Sequence, residues 1–400
     1  MKEIKASFSI ILSLLLLVFS LNCLFFFIEN CYGAAEDMYV TVAGAGGKSG
    51  VNWDDAMDWS AFKTDFEANA ETGDRYFLAG GNYTLGSNLT DTGAGSASEP
   101  IEMIGVKSGT TAEPPTQSDW AYGTDRPYFD IQSYKVDLDG QHKLIRNFRM
   151  SDEGAAAYVG MAIGRGSMGV NVKVETVRAS SEGAIQMERE STCINCEAVN
   201  TGGAAFLVRA DTFVVNSYAH DSATCYALWG ANAVKTVINS VADTCTIGFS
   251  VDVSSYDQNL IIGNTIYNST TGISLGTIAT SGEEGYAAIY SNLIDNCTTG
   301  ITVSNEAGLV LLDYNMFSNN TTDHTADYIH PGVNVVFADV TMTDPANKDF
   351  TLPDSSSAED AGMQLSTDIG VVGDYNVNIG VDQTDTQSGG AATTSYGFSN

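Results

Sequence analysis

The sequence predicts an all-β solenoid, a stack of parallel coils with an N-terminal helical cap, on three observations. First, a short phrase recurs between Gly183 and Val303: Ala184-Ile185-Gln186-Met187, Ala205-Phe206-Leu207-Val208, Ala227-Leu228-Trp229-Gly230, Gly248-Phe249-Ser250-Val251, Gly272-Ile273-Ser274-Leu275 and Gly300-Ile301-Thr302-Val303. Successive phrases start 21, 22, 21, 24 and 28 residues apart, the mark of a repeat array. Second, each phrase alternates apolar with small or polar residues, the period of a strand with one buried face. Third, a turn former follows a second apolar run in every coil, at Ile194-Asn195, Val215-Asn216, Ile238-Asn239, Gly263-Asn264, Ser291-Asn292 and Tyr314-Asn315. Asparagine tolerates the left-handed backbone region and suits a tight bend between strands. Stacking such coils pairs each strand with its equivalent in the next and gives three parallel sheets around an apolar column.

The elements follow in order. Residues 1–33 carry Lys2 and Lys5, a long apolar stretch from Ile10 to Ile28 and small residues before Ala34. That is the layout of a secretory signal peptide cut near Gly33, with retention as an amino-terminal anchor as the alternative. A strand is expected from Met38 to Val42, then an amphipathic helix from Trp53 to Ala70 with Trp53, Ala56, Trp59, Phe62, Phe66 and Ala70 near one face. A stack of coils exposes strand edges and an apolar end, and this helix is the natural cap. Residues 34–100 are therefore assigned to the cap and first coil, 101–383 to the coils and a closing turn at the far end, and 384–400 to a flexible tail. The loop from Gly109 to Asp125, with Pro114-Pro115, is long enough to suggest a groove or an edge beneath it.

Tyr39-Val40 before a glycine-rich stretch, the Trp53 helix and Gly73-Asp74-Arg75-Tyr76-Phe77-Leu78-Ala79-Gly80 resemble the start of secreted proteins of the pectate-lyase-like superfamily. The array resembles that family's coils. Asp344-Pro345-Ala346-Asn347-Lys348-Asp349-Phe350, Glu359-Asp360-Ala361-Gly362 and Asn378-Ile379-Gly380 resemble its closing segment. The resemblance implies a right-handed parallel β-helix facing extracellular or cell-surface polysaccharide. Several enzymes of that superfamily abstract a proton beside a uronate carboxylate with an arginine or lysine, using Ca²⁺ to hold the acid. This chain lacks the Arg-x-Pro-x-x-Arg pattern of pectate lyases and the Asn-Thr-Asp and Gly-His-Gly signatures of polygalacturonases.

Strand parity assigns outward columns: Gln186, Leu207, Trp229, Ser250, Ser274 and Thr302, then Glu188, Arg209, Ala231, Asp252, Gly276 and Ser304. Trp229 offers a sugar-stacking face, with Gln186, Glu188 and Asp252 beside it and His220 on the rim as substrate-binding candidates. Arg209 is the candidate catalytic base, one coil from Glu188. Glu190 and Asp211 are expected to stack roughly 5 Å apart, an arrangement that invites a Ca²⁺ ion or a shared proton. Glu188 and Asp252, three coils apart, would be about 14 Å apart, beyond the roughly 5–9.5 Å of a glycosidase pair.

The net charge is −31, and it is unchanged by loss of residues 1–33, because Lys2 and Lys5 leave with Glu3 and Glu29. Nucleic acid and, after signal cleavage, membrane surfaces are set aside as partners. Cys193, Cys196, Cys225, Cys245 and Cys297 remain, with either a stacked Cys225–Cys245 disulfide or buried thiols as the alternatives. The expectation is a secreted protein facing polysaccharide, its role binding or structural in the first instance. A Ca²⁺-dependent polysaccharide lyase or a glycoside hydrolase is the alternative.

Overall fold

The computed structural model describes residues 36–358 apart from 92, 94, 133, 139, 153–158, 177–182, 231–232, 253–256, 277–284, 304–308, 326–331 and 353–355. The expected signal segment and tail, Ala231, Ser304 and the residues from Glu359 onward lie outside them. All the paired strands are parallel to their neighbours in the stack. One coil runs from Ala204–Val208 on a first wall, through the turn at Asp211, to Thr212–Val215 on a second wall, then bends at Asn216 to Tyr218–His220 on a third. The first wall is a ten-stranded sheet. The other two form one continuous sheet of twenty strands folded along the bend.

The bend is made by one left-handed residue per coil: Asn147, Asn171, Asn195, Asn216 and Asn239, then Gly263, Ser291 and Tyr314. In the last three coils the asparagine expected at the bend therefore stands one residue later, where it points inward. Asn264 Nδ2 donates to Asn292 Oδ1 at 3.0 Å, and Asn292 Nδ2 to Asn315 Oδ1 at 2.9 Å. The same oxygens accept the main-chain N–H of the preceding rung, and Ser240 and Ser217 continue the chain of contacts toward Cys196. Every member is buried, so each amide satisfies its neighbour where water cannot.

The apolar column holds one correction of register. Ile185, Phe206, Phe249, Ile273 and Ile301 form a file as expected, but Tyr226, not Leu228, fills the third place. Leu228 belongs to the adjacent buried file with Met187, Val208, Val251 and Leu275. Phe206, Tyr226 and Phe249 stack with centroids 5.1 and 4.8 Å apart. The Tyr226 hydroxyl crosses the core to donate to Ser217 O at 2.9 Å and to Val241 O at 3.0 Å. A small residue precedes each member of the file because the coils approach closely there. A Cβ on Gly272 would lie 2.5 Å from Gly300 O.

Helix α1 spans Trp59–Ala68 and is shorter than the sequence suggests, since Trp53–Asp55 is a separate 3-10 turn. Asp58 caps it by accepting from Ala61 N at 2.8 Å, while Met57 is drawn into a bridge with Val40. Phe62 and Phe66 join the same apolar cluster as the column, at its N-terminal end. A disulfide links Cys225 to Cys245 in the following coil. Cys193, Cys196 and Cys297 are unbonded and buried, with Cys193 Sγ 2.6 Å from Cys196 Sγ.

Two outer faces are covered. The stretch 333–382 reads in the sequence as a last irregular turn closing the far end. Its described residues from 338 onward instead lie along the third wall, where Val340, Met342, Phe350 and Leu352 pack on Tyr218, Val241, Leu293 and Met316. Thr322–His324 adds a rung to the first wall against Thr299–Val303. The loop after Val106 covers the early second wall, with Trp120 under the Arg146 guanidinium at 4.6 Å and Trp53 Nε1 donating to Ala112 O.

Asn292 both donates and accepts within the interior ladder, so Asn292→Ala takes the acceptor from the buried Asn264 main-chain N–H and one of the two acceptors from the Asn264 side-chain amide, which keeps Val237 O. The expected cost is about 1–3 kcal/mol, seen as a lower urea midpoint with an unchanged slope. A midpoint equal to that of the parent chain would show that the ladder does not stabilise the stack.

Candidate functional site

The first wall's outer face carries the expected polar columns in a corrected register. Asp137, Ala162, Gln186, Leu207, Ala227, Ser250, Ser274 and Thr302 form one file. Trp229 is not in it. Its N–H donates to Val208 O and Asp252 N–H donates to Leu228 O, so Trp229 lies in the next file, between Arg209 and Asp252. Glu188 precedes Arg209 in that file, whose N–H donates to Met187 O. The order along the wall is therefore Glu188, Arg209, Trp229, Asp252. Trp229 remains the exposed aromatic of this edge, 41% accessible.

The chain beyond Trp229 is tied down from inside. Lys235 points into the stack, where its Nζ donates to Gly230 O at 2.5 Å and pairs with Asp257 at 3.0 Å, both side chains fully buried. A second inward lysine, Lys143, pairs with buried Asp91 at 2.5 Å. An ion pair of this kind is costly to break because either partner alone would leave an uncompensated buried charge.

Gln186, Glu188 and Arg209 come together in a cleft of about 510 Å³. Lys135, Asp137, Arg165 and Arg189 line it as well, and these four the sequence reading missed. A signal for two of them exists: Met161-Ala162-Ile163-Gly164-Arg165 repeats the phrase Ile185-Gln186-Met187-Glu188-Arg189 one coil earlier, outside the array as first delimited. Arg209 Nη1 holds Glu188 Oε1 at 2.9 Å, and Gln186 Nε2 bonds the same oxygen. Arg165 binds Glu190 through two N–H groups at 3.0 Å, and Lys135 pairs with Asp137. Arg189 is exposed and makes no ion pair among the described residues.

Glu190 and Asp211 do not continue the strands; both are left-handed turn residues. The Glu190 carboxylate is committed to Arg165, which holds it below the usual carboxylate range, and Asp211 Oδ1 accepts Val234 N at 3.1 Å. The pair does not fit Ca²⁺, which takes six to eight oxygens. Among the described residues no three His, Cys, Asp or Glu side chains converge on a metal-sized position.

His220 does not rim this cleft. It ends the third-wall strand Tyr218–His220, at the opposite end of the strand Thr224–Leu228 from Trp229. It is buried, stacked on Tyr218 at 4.4 Å, with Nε2 3.0 Å from Glu197 and Nδ1 2.7 Å from Asp221. Burial alone would raise the Glu197 carboxyl, but the bond from His220 and the Lys173 ammonium at 2.9 Å outweigh it and pull the group down to about 2.

With the geometry described, likeness to known proteins can be weighed. The profile of the family described as periplasmic copper-binding protein (NosD) matches residues 145–332. Among curated proteins none matches by sequence. Pectate lyase Pel9A superposes with a TM-score of 0.53 at 14% identity, covering 88% of this chain and 96% of that one. A rhamnogalacturonan lyase superposes with a TM-score of 0.55 at 13% identity, covering 84% and 97%. The chain shares with these lyases the fold of a right-handed parallel β-helix. At these identities the likeness to the lyases is one of fold. Copper belongs to the NosD name; in this β-helix His220 has both ring nitrogens within hydrogen-bond reach of Glu197 and Asp221, and Cys193 and Cys196 are closed inside the column. No helix among the described residues is long and apolar enough to cross a membrane.

Glu197 has its folded pKa depressed from 4.5, so the stability it contributes is present above pH 4.5 and lost as pH falls toward 2. Glu197→Gln should flatten that acid limb of the unfolding free energy, measured by urea titration at stepped pH. An acid limb as steep as the parent's would assign the loss to other carboxylates.

Proposed function

We propose that this β-helix protein is secreted and binds an acidic polysaccharide along the outer face of its first wall. One observation carries the reading: Lys135, Arg165, Arg189 and Arg209, four of the 18 basic residues in a chain of net charge −31, gather in one cleft, where Asp137, Glu190 and Glu188 pair with three of them and Arg189 forms no ion pair among the described residues. The net charge argues against a polyanionic ligand, but a glycan senses the local field within a Debye length, about 8 Å at physiological salt. Arginine forks match carboxylates two bonds at a time, and Arg189 is exposed and forms no ion pair among the described residues. Gln186 and the exposed ring of Trp229 extend the surface along the direction in which coils stack, which suits a linear polymer.

Binding is favoured over catalysis by the state of Arg209. Its guanidinium donates to Glu188 at 2.9 Å, so it is already engaged as a donor to a carboxylate rather than poised over a space where it could take a proton. Arg209 is therefore assigned to holding an anion. Extracellular or cell-surface location and a lyase-like scaffold agree with that use without requiring turnover.

Affinity electrophoresis in polygalacturonate tests this. Arg189→Ala and Arg209→Ala should each weaken retardation about tenfold or more, the worth of a charge-assisted hydrogen bond of about 1.5–3 kcal/mol. Trp229→Ala should weaken it too, added salt should weaken the parent, and a neutral glucan should not retard it. Unchanged retardation in both arginine variants would sink the reading. Release of unsaturated uronides, seen by ultraviolet absorbance with or without Ca²⁺, would replace it with a lyase.

A further inference from the structure

The third wall has an outer face that is half covered. Its outward file runs Asn82, Tyr128, Arg149, Lys173, Glu197, Tyr218, Val241, each paired in register with the next. From Tyr218 onward segment 338–358 lies over it, and the cover reaches its limit at Lys348, 5.1 Å over the Tyr218 ring and 3.9 Å from Glu197. The earlier coils of the same wall are overhung by the end of the loop that follows Val106. Between that overhang and the wall lies a cavity of about 610 Å³, within the roughly 300–1,000 Å³ of small-molecule sites.

Two guanidinium groups face this space, and neither forms an ion pair among the described residues. Arg126 spends one edge on the overhang and the wall: Nε donates to Gly123 O at 3.0 Å, and Nη1 to Asn171 O at 3.1 Å and Asn171 Oδ1 at 3.3 Å. Arg149 lies 5.6 Å over the Tyr128 ring and makes no side-chain hydrogen bond among the described residues. The charges of Glu197 and Glu175 reach Arg126 without forming an ion pair with it. Glu175 is held by Lys173 at 2.8 Å, and Asp125 is exposed at the rim. A partly desolvated cation without a counter-charge is costly, and an arriving oxyanion removes that cost. Asn82, Ser108 and Ser151 add hydrogen-bonding groups around the arginines, more than a bare ion needs and of the type that sugar hydroxyls use.

We propose that this cavity is a second saccharide site, which seats one acidic sugar unit with its carboxylate or sulfate between Arg126 and Arg149 and its hydroxyls on Asn82, Ser108 and Ser151. The site is built on a different wall from the basic cleft and shares no residue with it. A single chain thereby carries two anion-binding faces, enough to hold two strands of an acidic polymer at once.

Isothermal titration of the full chain with trigalacturonate tests the assignment, with a sulfated disaccharide and inorganic sulfate as separate arms. Arg149→Gln should remove one equivalent of saccharide binding, or weaken it at least tenfold, and leave the other. Arg189→Gln should do the reverse. Full stoichiometry and affinity in Arg149→Gln overturns the proposal, as does a single equivalent in the parent that disappears in Arg189→Gln while the cleft reading stands. A single equivalent that disappears only in Arg149→Gln upholds the site here and overturns the cleft instead. Ser151→Gln narrows the cavity without touching either guanidinium and decides the matter if Arg149→Gln does not fold; undiminished binding in it counts against the site. The stronger of the two acidic saccharides identifies the oxyanion as carboxylate or sulfate. Inorganic sulfate competing with it on equal terms overturns the saccharide assignment in favour of a bare-ion site.

Discussion

Every coil of this protein hydrogen-bonds to the one before it in parallel and in phase, and that constraint governs the rest. A residue can be placed in the stack only if it tolerates the residue one coil earlier and one coil later at about 4.8 Å. Inside, this turns a polar residue from a liability into a partner: Asn264, Asn292 and Asn315 satisfy each other because they recur in the same file. It also explains the small residues ahead of the aromatic file, where a neighbouring carbonyl leaves no room for a side chain.

The same constraint loosens the outside. Each coil contributes one side chain to each outer file, so a local charge can be assembled from distant parts of the chain while the rest of the surface takes the opposite sign. Lys135 and Arg209 line one cleft although three coils of chain separate them, and the overall acidity says nothing against it. Walls also acquire covers independently. The late third wall is packed under its own C-terminal segment, the early second wall under the loop after Val106, and the early third wall is left as a cavity between them.

The fold was legible because its period is written in residues of low ambiguity: alternating phrases, glycine or alanine ahead of an apolar residue, and asparagine at the bend. The candidate site was less so, for identifiable reasons. In the coil of Trp229 the phrase Ala227-Leu228-Trp229 has the right alternation two residues away from the true one, and the spacing between interior residues is 20 and then 23 rather than even. Tyr226 is a polar-tipped residue whose hydroxyl finds two main-chain acceptors across the core, a pairing that alternation cannot show. His220 was misplaced because a position just before a turn says nothing about which wall the residue faces. Arg165 and Arg189 repeat at the coil period and were within reach. Lys135 stands at the far end of its strand, and no local pattern marks it.

The covalent link between Cys225 and Cys245 joins one coil to its successor near the middle of the stack. A solenoid anchored to a polymer at one face carries mechanical load, and force applied to either terminus unravels such a stack coil by coil, since each is held mainly by its nearest neighbours. Tension arriving at the bridged pair meets a loop with a sequence separation of 20 that it cannot lengthen. Peeling from one end must therefore stall there before it reaches the opposite half.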